Sequence, residues 1–263
     1  MATIIALTNQ KGGVGKTTTS SALAAGLTRE GKKVLGIDLD PQGNFGFCLG
    51  LDIDNNKTIY DVLKYQVPIE DAIQSTDYCD LITSNILLSG AELEFNAPGR
   101  ELMLKRNLQF VDQRYDFIII DTPPALNFLT INAYAAADYL IIPMAAEILS
   151  IVGVAQIKET VNSIQHSVNP RLHVLGILLT KFNRRTILAR EVKEMAENIA
   201  NQIGTSVFES LIRPSVSVAE APAHGESIYE YSPRSNPSID YTAFVKEVLN
   251  RISQQEGTHG TQK

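Results

Sequence analysis

The stretch TNQKGGVGKTTTS, residues 8–20, decides the fold. It follows an apolar run, TIIALT (3–8), and opens a helical segment, residues 16–30. Strand, glycine-rich turn and helix in that order make a phosphate-binding loop. Gly12, Gly13 and Gly15, with Val14 between them, let backbone N–H groups converge on phosphate oxygens without Cβ clashes. The helix N-terminus adds partial positive charge. In such a loop Lys16 contacts the β- and γ-phosphates, the Thr17 hydroxyl ligates Mg²⁺, and Thr18 donates near the α-phosphate. The usual pattern, G-x-x-x-x-G-K-[ST], carries one lysine. Here Gln10 stands where the first glycine belongs, and a second lysine, Lys11, stands beside it. Lys11 sits too early to share the phosphates of Lys16. A cation there can act in trans on a neighbouring subunit's phosphates, as an arginine finger does.

Two acidic stations follow. FIIIDTPP (117–124) is a buried-strand pattern ending in Asp121, the expected Walker B carboxylate that reaches Mg²⁺ through water. VLGIDLDPQGN (34–44) places Asp38 and Asp40 after a second apolar run, and strand alternation puts both on one face. One of them can support Mg²⁺ at one remove, and the other can orient the attacking water. Further continuous apolar runs lie at 33–38, 79–84, 116–121, 139–144 and 173–180, with helical spacing at 99–113, 147–167 and 186–203. Continuous rather than alternating runs mark strands buried on both faces. The alternation of strand and helix predicts an α/β fold, a doubly wound and mostly parallel sheet flanked by helices. Residues 1–253 read as one domain, and the polar, glycine-containing stretch 254–263 as a disordered tail.

Composition excludes several classes. With 263 residues and a net charge of -6, any grip on nucleic acid requires a local basic patch. Cys48 and Cys79 form no C-x-x-C pair, so neither a disulfide framework nor a zinc site is expected. His166, His173, His224 and His259 show no ligand spacing. No signal peptide is expected, and no apolar run approaches the ~18 residues of a membrane span. A cytoplasmic protein follows. The segment LTKFN (179–183) carries Asn183 where a guanine-reading [NT]-K-x-D motif needs a carboxylate. An amide cannot offer two acceptors to guanine's N–H groups, so ATP is favoured over GTP.

KGGVGKTT, DLDPQGN, IIIDTPP and EAPAHGESIYEYSPRS (220–235) together resemble the deviant Walker A ATPases, specifically the ParA-type partition ATPases, from residue 1 to about 253. The resemblance implies a Mg²⁺- and ATP-dependent enzyme that forms an ATP-bound homodimer, a sandwich in which Lys11 reaches the partner's ATP. It matches Asp40 to the water-positioning acid and Asp38 to the acid supporting the metal. Glu147 matches a glutamate near the dimer-facing nucleotide, and Pro214 borders the adenine. It further implies nonspecific binding of double-stranded DNA, nucleoid association in the ATP state, and hydrolysis stimulated by a ParB-type partner. KFNRRTILAR (181–190) supplies Lys181, Arg184, Arg185 and Arg190 with no acid, and Arg185 falls where the family has a DNA-contacting arginine. IRPSVSVAEAP (212–222) departs from the family's I-P-R-N-V-R-L-S-E-A-P: Ser217 replaces an arginine and Arg213-Pro214 is inverted.

Three other readings use parts of the same pattern. A MinD-type membrane-cycling ATPase shares the two-lysine loop and needs a basic amphipathic C-terminal helix. An iron–sulfur reductase component needs cluster-ligating cysteines, which Cys48 and Cys79 do not match. A nucleotide-gated scaffold that positions a protein cargo needs no arginine patch. A first strand at residue 3 predicts no preceding operator-binding domain.

Overall fold

The computed structural model describes residues 1–51, 56–147 and 149–260, without the side chains of 149–156 and 258–260. Seven strands form one sheet: β1 (Thr3–Leu7), β2 (Val34–Asp38), β3 (Gln74–Ser75), β4 (Asp80–Ile82), β5 (Phe117–Asp121), β6 (Tyr139–Ala145) and β7 (His173–Thr180). Their order across the sheet is β3-β4-β2-β5-β1-β6-β7. All pairs are parallel except β3 with β4. The helices in chain order are α1 (Lys16–Arg29), α2 (Asn44–Cys48), α3 (Ile59–Tyr65), α4 (Ala91–Glu94), α5 (Met103–Leu108) and α6 (Phe128–Ala136). They continue with α7 (Leu149–Ser167), α8 (Ile187–Gln202), α9 (Ser217–Glu220), α10 (Ile228–Tyr231) and α11 (Asn236–Gly260).

The apolar runs become strands because each side chain finds a cover. Every residue of β2, β5 and β6 is buried. Alternation sends Ile5, Leu7, Phe117 and Ile119 toward one core with Leu23 and Leu27 of α1 and Phe244 and Val248 of α11. Ala6, Ile118 and Ile120 face the other core, with Leu104 and Leu108 of α5, Leu129 of α6 and Val192 of α8. Two packed faces explain why these strands carry no polar alternation. Helix starts are set by local capping. Asn127 accepts from the amides of Leu129 and Thr130 to begin α6, and Thr186 accepts from the amide of Ala189 to begin α8.

The structure differs from the sequence reading in four places. The run at 79–84 narrows to Asp80–Ile82 and gains a two-residue antiparallel partner, β3, too short and polar to signal itself. The helix expected at 99–113 splits into a 3₁₀ turn, Arg100–Leu102, and α5. Asn132 of α6 brackets that junction, accepting from the amide of Leu104 and donating to the carbonyl of Arg100. β2 ends at Asp38, so Asp38 is on the strand and Asp40 lies in the turn after it, where strand alternation does not set its direction. Finally, α11 runs to Gly260, into the stretch read as a disordered tail. Tyr241, Phe244, Val248 and Ile252 nucleate it by burial, and extension of a formed helix costs little per residue. Residues 261–263 lie outside the described residues, as do the side chains of Leu149, Val152 and His259.

Candidate functional site

The phosphate loop leaves the carboxyl end of β1, between β5 and β6, where the connections diverge to opposite halves of the sheet. In doubly wound sheets that switch point is where ligands bind. The loop is drawn taut from both flanks. Asn9 donates to the carbonyl of Pro143 and accepts from the amide of Lys11, at 2.8 and 2.9 Å. Thr180, at the end of β7, donates to the carbonyl of Val14 at 2.7 Å. Gly13 and Gly15 have φ of 75° and 87°, a backbone region that side chains rarely occupy. Gly15 caps α1 without a side-chain hydrogen bond, so the first amides of the helix stay available to an anion.

Asp38 and Asp121 are direct register neighbours on β2 and β5, and both are fully buried. Asp121 accepts from Thr17 Oγ1 at 2.6 Å and from Ser20 Oγ at 2.8 Å. Asp38 accepts from the amides of Asp40 and Phe45, both at 2.9 Å. Burial pushes the Asp121 carboxyl up to about 6, against the hydrogen bonds from Thr17 and Ser20 and the charge of Lys16. Burial, then the nearby Asp121 charge, pushes Asp38 well above the ordinary carboxylate range. Lys16 is buried too, and desolvation lowers its pKa despite the attraction of Asp121 and Asp40. Two crowded carboxylates beside a threonine hydroxyl form a hard oxygen donor set. A divalent cation of the Mg²⁺ kind fits it and would relieve the like-charge crowding.

A cleft of about 470 Å³ opens above these groups. Gly12, Gly13, Gly15, Lys16, Thr17, Thr18 and Asp40 line one end. Ile212, Pro214, Val218 and Tyr241 line the other, so phosphates and an apolar ring each have a matching wall. Asp40 is nearly buried and accepts from the amide of Gln42 at 3.1 Å, which turns its carboxylate inward after the strand has ended. The two lysines part company. Lys16 Nζ folds back over its own loop, 3.2 Å from the carbonyl of Lys11. Lys11 Nζ lies 2.6 Å from Glu147 Oε2, an exposed pair outside the cleft lining.

The structure therefore gathers Lys16, Thr17, Thr18, Asp38, Asp40, Asp121 and Pro214 at one site, and pairs Lys11 with Glu147 at its rim. Arg184, Arg185 and Arg190 are exposed on the turn before α8 and on its first turn. Lys181, read from sequence with those arginines, also lines the nucleotide cleft. It adopts a left-handed backbone, φ 50°, as β7 turns away. Asn183 accepts from the amide of Arg185 and is spent on that turn. Sequence reasoning missed Ser20, Asn9, Thr180 and Tyr241. Ser20 sits one helical turn after Lys16, the spacing that could have shown it facing Asp121. Asn9, Thr180 and Tyr241 act across 134, 166 and 222 positions of chain and left no local signal. Among the described residues no His/Cys/Asp/Glu group forms a metal cluster, and no helix is long and apolar enough to cross a membrane.

Fold and cleft together define a P-loop nucleotide-binding protein of the doubly wound α/β type. A family model described as an AAA domain matches residues 2–174. The chain is 42% identical over 252 residues to the sporulation initiation inhibitor protein Soj of Bacillus subtilis, covering 94% of this chain and 98% of that one. It is 39% identical over 250 residues to the chromosome-partitioning ATPase Soj of Thermus thermophilus, covering 95% and 96%. Among solved structures, a Mycobacterium smegmatis protein described as cobyrinic acid a,c-diamide synthase, with bound ADP and magnesium, superposes with a TM-score of 0.80. That match has 35% identity and covers 96% of each chain. The chain belongs to the ParA/Soj family of chromosome-partitioning ATPases.

Proposed function

We propose that this ATPase works as a partition switch. ATP closes two copies into a sandwich dimer, the dimer binds double-stranded DNA without sequence preference, and a ParB-type partner resets it by stimulating hydrolysis. The observation that carries the reading is the separation of the two lysines: one buried over its own loop, the other at the rim on an exposed counter-ion. On this reading Lys16 serves its own nucleotide and Lys11 serves another's. An exposed ion pair such as Lys11–Glu147 is worth about 0.2–1 kcal/mol. A phosphate from a second copy, in a drier interface, offsets that easily.

Bound Mg²⁺–ATP would supply the transferable phosphoryl group and the metal charge. Thr17 and Asp121 would hold the metal, with Asp38 behind them. Asp40 would orient water at the γ-phosphate. The loop amides, Lys16 and, from the partner, Lys11 would balance charge that develops in transfer. Lys181, Arg184, Arg185 and Arg190, doubled in a dimer, offer roughly 4–8 phosphate contacts, enough for a steep salt dependence. The protein would then act in the cytoplasm, on the nucleoid while ATP is bound.

The test is binding of an Asp40→Ala protein to random-sequence duplex, with ATP–Mg²⁺ and with ADP, across a salt series. Tight, salt-steep binding with ATP alone is expected. ATP dimers that ignore DNA at every salt concentration would remove DNA as the track.

A further inference from the structure

The apolar end of the cleft is built from a segment without regular structure, and that segment is fastened from behind. The amide of Ile212 donates to the carbonyl of Leu179 at 2.9 Å, tying it to β7. One residue later, Arg213 grips Asp240 of α11. Arg213 Nη2 lies 2.6 Å from Asp240 Oδ1, and Nε lies 2.9 Å from Oδ2. The backbone amide of Arg213 donates to the same Oδ2 at 3.0 Å. The carboxylate is 11% exposed and uses both oxygens, while the guanidinium is 40% exposed. The neighbour of Asp240, Tyr241, is buried, lines the cleft, and has its hydroxyl 3.1 Å from Thr19 Oγ1 in α1. One turn of α11 thus connects the phosphate-loop helix to the far wall of the cleft.

From Pro214 to the start of α9 the chain is mostly exposed, and Ser215 bonds to its near neighbour Ser217. The placement of Pro214 and Ser215 therefore depends on the anchor just before them, while Val218, in α9, is also held by packing against the core that α1 and α11 share. The residue order matters for that anchor. A proline at 213 would have neither the N–H nor the guanidinium that Asp240 receives. The inverted Arg213-Pro214 order is what this junction requires.

We propose that Arg213 and Asp240 are a positioning pair for the nucleoside end of the nucleotide. They set how tightly and how long base and ribose are held, while the loop alone recognises the phosphates. A bidentate pair with a nearly buried carboxylate is a strong fastening, and removing the arginine leaves that carboxylate unpaired. The inference rests on the nucleotide cleft and is independent of DNA binding or partition.

The experiment compares two ligands on the full-length chain. Asp240→Asn and, separately, Arg213→Gln are titrated with a fluorescent ADP derivative and with inorganic tripolyphosphate. The expected result is a loss of ADP affinity on the order of tenfold, carried by faster release, with tripolyphosphate affinity kept. Equal loss for both ligands would show general loosening of the fold and overturn the proposal. Loss for neither would reduce the pair to a surface ornament and overturn it as well. Arg213→Gln removes the exposed partner, so it keeps the question answerable if Asp240→Asn fails to fold.

Discussion

The nucleotide cleft and the arginine-bearing turn before α8 both follow strands at the carboxyl edge of the sheet, and they hold charge in opposite ways. In the cleft, Asp38, Asp121 and Lys16 are buried, and each is fixed by named partners at hydrogen-bond distance. On the turn, Arg184, Arg185 and Arg190 stand in solvent. A buried charge without a partner costs several kcal/mol, so the cleft tolerates one arrangement of few residue types. An exposed arginine costs almost nothing wherever it stands, so the turn is constrained only by what it touches when a partner arrives. The cleft is thus preorganised for one ligand class, and the turn, on the proposed function, meets a ligand that offers charge at many equivalent positions.

Three substitutions sharpen or break that contrast, ordered by their effect on ATP affinity. Lys16→Ala removes the buried cation that Asp121 and Asp40 attract and is expected to weaken ATP binding at least ~100-fold by calorimetry. Retained tight binding would end the assignment of the loop. Lys11→Ala should change monomer ATP affinity by less than about threefold, because its ion pair with Glu147 is exposed and lies outside the cleft lining. The same variant should lose the ATP-dependent mass increase in light scattering; dimers as stable as those of the parent chain would cancel its action in trans. Reversing both Arg184 and Arg185 to glutamate should leave ATP affinity and dimerisation untouched. It should flatten the salt dependence of DNA binding by a slope of about 4, for roughly four lost phosphate contacts per dimer. Unchanged DNA binding would move the DNA track elsewhere or favour protein cargo.

The legible parts of the site are those in which one short segment holds all the chemistry. The loop, its helix and the strand-end Asp121 were readable because glycine conformation, helix polarity and strand burial are local properties. Asp40 is readable as a residue, but strand alternation does not set its orientation; the turn after β2 and the Gln42 amide do. Charge alone groups Lys181 with the arginines, and the end of β7 places it on the cleft as well. The break in the 99–113 helix depends on Asn132, a residue of a different helix.

The sequence by itself determined the sheet, the phosphate loop and the family. Continuous apolar runs can be satisfied only between two covering layers, and a two-lysine glycine turn after a strand has few other uses. Only the tertiary structure decided which side chains complete the cleft. Asp38 comes beside Asp121 because β2 pairs with β5, 83 positions away in sequence at that register. Thr180 reaches Val14, Tyr241 reaches Thr19 and Asp240 reaches Arg213 for the same reason. Each of those bonds joins elements that only the finished packing makes neighbours, and hydrogen bonds act over a few ångströms regardless of distance along the chain.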